Sequence, residues 1–271
     1  MIFLTTLIKK FQRDNALFLA RGLAFDIVVC LIPAVFLLFV LFGFIFDSPR
    51  ETMRFMAPYL KSVLPFSSQQ VLLNLFSVVK GQKVLGLVGL IGLVWTLSRV
   101  FGSIRTVLDT VFQVKEGRGI LQGKLFDLKM MFLSSLFFLA TVLITSFFAL
   151  LKKISANLLG MKFFYLGVRG EMISIFLAFC FTFALFFCLY KFIPYRGIRT
   201  KTALYAALGS SILWEVAKHG FRLYLFKVAV LSQVYGSFGL LFTLIFWVYY
   251  SCIVFIFGAE MGWVWEKRKG L

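Results

Sequence analysis

The chain has 271 residues, of which 61% are hydrophobic, 18% aromatic and only 15% charged, whereas a soluble globular domain is about 45–50% apolar. Too little polar surface is available to cover a water-soluble body of this size, so the excess must face lipid; a soluble enzyme, a disordered chain and a disulfide scaffold are excluded. The formal net charge of +18 is read first as Lys and Arg flanking membrane spans and meeting anionic headgroups.

Residues 1–20 lack the long apolar core and small-residue cleavage site of a signal peptide. Leu4, Leu7, Ile8 and Phe11 share one helical face, and Lys9, Lys10 and Arg13 are grouped on the other. That pattern predicts a helix lying in the membrane interface. Crossing about 30 Å of hydrocarbon takes about 20 apolar residues. Runs of that kind predict six spans, at about 23–46, 84–104, 130–151, 172–193, 202–226 and 236–258. Short helices are expected in the long outer loop between the first two, at 53–64 and 69–79. The apolar runs are unbroken rather than alternating, which disfavours a membrane barrel. No repeat or linker divides the chain, so it reads as one membrane domain over residues 1–271. The fold class is therefore all-α: a polytopic six-helix bundle with an N-terminal interfacial helix. An even number of spans puts both termini on one side, and the distribution of Lys and Arg favours the cytoplasm.

The four cysteines, Cys30, Cys180, Cys188 and Cys252, all lie inside apolar runs and read as buried small hydrophobes rather than disulfides or zinc ligands. Charges inside spans are more informative, because each costs about 2.5–3.5 kcal/mol to insert and needs a partner or a wet cavity. Placed by depth, Asp26, Arg99, Arg105, Asp109 and Glu260 fall toward the cytoplasmic side and are expected to meet at one level. A second group, Glu215, Lys218, His219 and Arg222, sits on the fifth span at helical spacing, with Gly209 and Gly220 allowing close packing or a local break.

Two roles fit these charges. Paired charges fix helix order, and basic side chains near span ends reach for headgroups. Alternatively, Arg99, Arg105, Lys218, His219 and Arg222 line a basic cavity that holds an anionic headgroup, with Asp26, Asp109, Glu215 and Glu260 as charge partners. Arginine suits that task because its planar fork can grip phosphate with two nitrogens. A catalytic role fits poorly. His219 is the only histidine, and no HExxH, GxSxG or Walker A motif is present. No catalytic residue, metal site or cofactor is predicted. The Trp247, Tyr249 and Tyr250 group reads as packing or lipid-facing, so no nucleic-acid partner is expected.

Several motifs in order resemble those of the YihY/virulence factor BrkB family of bacterial inner-membrane proteins, once labelled ribonuclease BN. Leu23-Ala24-Phe25 through Leu31-Ile32-Pro33 is similar to the family's LAYYALLSLFP, and Trp95 through Phe101 to WSASRAF. Leu189 through Pro194 resembles YRFLP, Val234 through Ser237 VYGS, Trp247 through Ser251 WLYLS, and Gly258-Ala259-Glu260 GAE. Asp26 departs from the family's usual Tyr or Thr, and Asp109 from its common Asn. The resemblance implies a multi-pass protein of the inner membrane with both termini cytoplasmic, a link to virulence, and handling of envelope lipids such as lipid A precursors. It implies no ribonuclease chemistry. The expected function is movement or presentation of an anionic phospholipid, between leaflets or to a periplasmic lipid-transport partner. A membrane scaffold supporting envelope integrity and a transporter of small anions are the alternatives.

Overall fold

The computed structural model describes residues 2–45, 82–114, 122–126, 128–132, 167–195, 197–235 and 237–268. Among them every regular element is helical. Six long helices follow in order: α1 (Ile2–Arg13), α2 (Ala16–Ile45), α3 (Gln82–Val111), α4 (Gly167–Phe192), α5 (Thr200–Tyr235) and α6 (Ser237–Arg268). Three stretches are long and apolar enough to cross a membrane: Ala16–Ala34, Gly86–Val111 and Leu241–Arg268; Ala178–Phe192 is a shorter apolar helix. Many large apolar side chains on these helices are exposed, among them Phe25, Ile32, Ile91, Phe176 and Phe242. In water such surfaces would aggregate; in lipid they are the ordinary outer face. The outer-loop helices expected at 53–64 and 69–79, and nearly all of the span expected at 130–151, lie outside the described residues.

The first apolar helix begins seven residues earlier than its apolar run suggests. Arg21 interrupts the hydrophobic pattern, but Ala16 and Ala20 are buried and the helix simply carries Arg21 on an exposed face. Its start is set by Asn15, which takes φ 50°. Asparagine tolerates this left-handed conformation better than other side chains. The Asp14 amide closes α1 by donating to the Lys10 carbonyl at 2.9 Å, and the Asn15 carbonyl accepts from Phe18 and Leu19 at 2.8 and 3.1 Å. Replacing Asn15 with Val is expected to cost about 1–2 kcal/mol, whereas Asn15→Gly should be close to neutral. Thermal unfolding in mild detergent distinguishes the two.

The chain divides into two compact units. One comprises Met1–Asp14, Leu108–Glu215 and Phe257–Leu271; the other comprises Asn15–Val107 and Val216–Ile256. Within the second unit, Gly92 on α3 gives way to Pro33 on α2: a Cβ there would sit 3.7 Å from the proline ring. Phe221 and Trp247 bring α5 and α6 together at 4.3 Å between ring centres, and Tyr224 meets Phe246 at 5.1 Å.

The first unit is held by small residues. Gly258 and Gly262 on α6 face Ser210, Ala206 and Thr202 on α5, so that a Cβ on Gly262 would lie 2.7 Å from that of Ala206. Gly209 accommodates Met261 in the same way, whereas Gly220 has nothing within 4 Å among the described residues. Tyr190 of α4 is fully buried and exchanges a hydrogen bond of 2.6 Å with Ser210. Tyr205 stacks on Trp265 at 3.9 Å, and Thr202 donates to Glu266 at 3.0 Å. Between α4 and α5, Lys191 donates to the Ile198 carbonyl and holds the short basic turn. Hydroxyls within the helices bond back one turn, as Thr96 to Gly92, Thr182 to Ala178 and Ser251 to Trp247. This is how such groups are satisfied where water is absent.

Candidate functional site

The charged groups expected at one level have specific partners. In the second unit α2 carries Asp26 and α3 carries Arg99 and Ser103, which share a face because they are four residues apart. The Arg99 guanidinium donates to Asp26 Oδ1 at 3.2 Å, and the Ser103 hydroxyl donates to Oδ2. The same guanidinium lies over Trp95, 5.6 Å from the ring centre. Asp26 is 12% exposed by its side chain, Arg99 53%. A carboxylate is thus enclosed while the cation it holds remains open on one flank. The pair joins the two apolar stretches Ala16–Ala34 and Gly86–Val111.

Glu260 has a different partner. In the first unit it is fully buried and lies 2.6 Å from the Lys10 ammonium of α1. Lys10 also bonds Asp14, donates to the Val111 carbonyl at 2.8 Å and sits 4.4 Å above the Trp263 ring. Arg13 reaches Asp14 at 3.1 Å. Two cations and two carboxylates therefore balance in one place. The N-terminal helix departs here from its expected arrangement. Lys10, grouped by charge with the solvent-facing side, is only 3% exposed, while Leu4 and Ile8 from the apolar face are open. The reason is geometric: Lys10 follows Leu7 by three residues and turns inward with it. Leu7 is buried, and Phe11 packs edge-on against Phe257 at 5.7 Å. Thus α1 is bound along α6.

The remaining candidates divide. Asp109 Oδ1 accepts from the Tyr195 amide at 2.9 Å and so supports the turn after α4. Arg105, Glu215 and Lys218 are partly buried and engaged with neighbours. His219 and Arg222 are exposed on α5. Among the described residues no three His, Cys, Asp or Glu side chains converge as a metal site would require. Ser103, Lys10, Asp14 and Trp263 were not singled out by sequence. Ser103 was within reach of that reading, since it lies one turn from Arg99; Lys10 was hidden by its own charge.

Chemically, the Asp26–Arg99–Ser103 group can hold an anion at the free flank of the guanidinium. The Lys10–Glu260 group has no comparable opening, since Lys10, Asp14 and Glu260 are enclosed; it is held by charge, for neither Glu260 oxygen has a hydrogen bond among the described residues.

Comparison with known proteins agrees with the membrane reading. A UPF0761 membrane protein of Pseudoalteromonas atlantica is 25% identical over 98% of this chain and 86% of its own length. Others are 25% identical in Prosthecochloris aestuarii, over 95% of this chain and 59% of that protein, and 27% identical in Ralstonia nicotianae, over 94% and 56%. The chain thus spans little more than half the length of these latter two relatives. No solved structure matches. The family model described as virulence factor BrkB matches residues 7–270, and with almost the whole length covered in this way the chain belongs to the BrkB family.

Proposed function

We propose that this protein moves or presents an anionic lipid, a phospholipid or a lipid A precursor, in the bacterial inner membrane, without catalysing a reaction. In this reading the chain is one domain of six spans with both termini cytoplasmic, and Arg99 receives the headgroup. The supporting observation is Arg99 itself: a guanidinium on a long apolar helix, bound to Asp26 through one nitrogen, lying over Trp95 and half exposed. Arg222, exposed further along α5, is a second contact for the same anion, and a periplasmic lipid-transport protein is a fitting recipient.

Native mass spectrometry of the mildly solubilised protein tests this. Loss of a charge-assisted hydrogen bond of about 1.5–3 kcal/mol predicts at least a roughly tenfold fall in anionic lipid retained by Arg99→Ala. Arg222→Ala should lose less. A protein that carries the same lipids whether or not Arg99 is present is a scaffold, and the lipid-handling reading fails.

A further inference from the structure

Three cations gather on one indole in the first unit. The Lys10 ammonium lies 4.4 Å, the Arg13 guanidinium 5.9 Å and the Lys267 ammonium 5.4 Å from the centre of the Trp263 ring. Lys10 is enclosed and spent on Glu260, Asp14 and the Val111 carbonyl. The other two are not. Arg13 is 58% exposed by its side chain and commits only Nε, to Asp14, among the described residues, which leaves both terminal nitrogens of its fork to a ligand. Lys267 is exposed and has no carboxylate partner among the described residues. Arg13 comes from α1 and Lys267 from α6, so the two reach the ring from different helices.

The charges around the ring do not balance. Against Lys10, Arg13 and Lys267 stand two carboxylates, Asp14 and Glu260. No other described carboxylate makes up the difference: Glu266 is engaged by Thr202 and Arg199, and Asp109 by the Tyr195 amide. The C-terminal end of α1 adds about half a negative charge, which the exposed Lys9 on the same helix outweighs; Arg268 does the same at the end of α6. An anion at the exposed flank would therefore be met by net positive charge. The place suits a headgroup as well, because tryptophan rings favour the boundary between lipid and water, and Trp263 lies near the end of the apolar stretch Leu241–Arg268.

We propose that Arg13, Lys267 and Trp263 form a binding site for a phosphate group, and that its occupation holds α1 against α6. Arg13 supplies two parallel N–H donors and Lys267 a point charge, the division of labour those side chains commonly take toward phosphate. Because the donors belong to two helices, the anion bridges them, and releasing α1 takes the site apart. The site lies in the first unit and Arg99 in the second, so this inference does not depend on the role given to Arg99.

The experiment uses the protein in nanodiscs of phosphatidylcholine. It is given either phosphatidylglycerol, in rising proportion in the disc, or inorganic phosphate in solution, with chloride at matched ionic strength as the control for screening. Chymotrypsin cleavage at Phe11, which packs on Phe257, reads the release of α1. Each variant is scored by the ratio of its own rates with and without ligand. Ligand at about ten times its Kd should slow cleavage of the wild type by up to about tenfold. Lys267→Gln leaves Lys10, Asp14 and Glu260 in place; it should weaken binding by about tenfold or more and remove most of the protection. Lys267→Arg should restore it, and Arg13→Gln should lose it as Lys267→Gln does. Lys9→Gln takes the same charge from α1 without touching the ring, and should keep it. Protection by phosphatidylglycerol alone identifies a lipid headgroup; protection by inorganic phosphate as well identifies a free anion, and both support the site. Protection no greater than chloride gives, or protection that survives Lys267→Gln, overturns it. So does an equal loss in Lys9→Gln and Lys267→Gln, since charge alone would then draw anions to α1. Arg99→Ala should leave the protection unchanged, so the failure of either site is read apart from the other.

Discussion

Glu260→Ala is expected to be among the most destabilising single changes in the chain, lowering stability by about 3 kcal/mol. Its carboxylate has no exposure and lies 2.6 Å from a lysine that is itself buried. Truncation leaves the Lys10 ammonium enclosed with Asp14, which Arg13 already engages. An uncompensated buried charge costs more than the pair contributes, because both ions gave up hydration on folding. The sign of a second substitution follows from the same reasoning. Lys10→Met with Glu260→Gln removes both charges and retains much of the volume, so the double variant should be more stable than Glu260→Ala alone. It should still fall below wild type, since Lys10 also joins α1 to the Val111 carbonyl. Thermal unfolding in detergent, with protease cleavage near residue 14 as a reading of α1 release, separates the variants. A double variant no better than Glu260→Ala would mean that the cost lies in packing around Trp263 and not in the stranded charge.

This group also marks the limit of reasoning from sequence. The helices themselves were legible, since their apolar runs have the length that lipid demands, and three of them stand as apolar helices of membrane-crossing length. The Asp26–Arg99 pair was legible too, because a charge inside a span needs a partner and depth alone brought these two together. Depth carries no information about direction around a helix, however. Glu260 and Asp109 were placed at a common level with Arg99, yet Glu260 meets Lys10 of α1 and Asp109 meets the Tyr195 amide. Lys10 was assigned to the wet side because it is charged, although its position three residues after Leu7 placed it with the buried face. Charge type and helical angle conflicted there. The angle prevailed because a carboxylate was waiting.

The close approach of α5 and α6 follows a plainer pattern, and its test should give the other large effect. Gly258 and Gly262 are one turn apart, opposite Thr202, Ala206 and Ser210, which repeat at the same interval of four. Small residues so spaced let two helix backbones come near enough for dispersion to act where no hydrophobic drive separates protein from lipid. Gly262→Ala should cost about 1–3 kcal/mol and Gly262→Leu more. The added Cβ would meet Ala206 Cβ at 2.7 Å and the Thr202 carbonyl at 3.1 Å, and a backbone oxygen cannot turn aside. Ala206→Gly should recover part of the loss from Gly262→Ala by removing the first clash, and none of the second. At Gly220, which faces open space among the described residues, the same change to Ala should stabilise by about 0.5–1 kcal/mol, the ordinary helix preference. The same glycine-to-alanine change thus has opposite expected signs at Gly262 and Gly220, according to what stands across from each. Equal effects at Gly220 and Gly262 in detergent unfolding would show that backbone preference, and not helix contact, governs both.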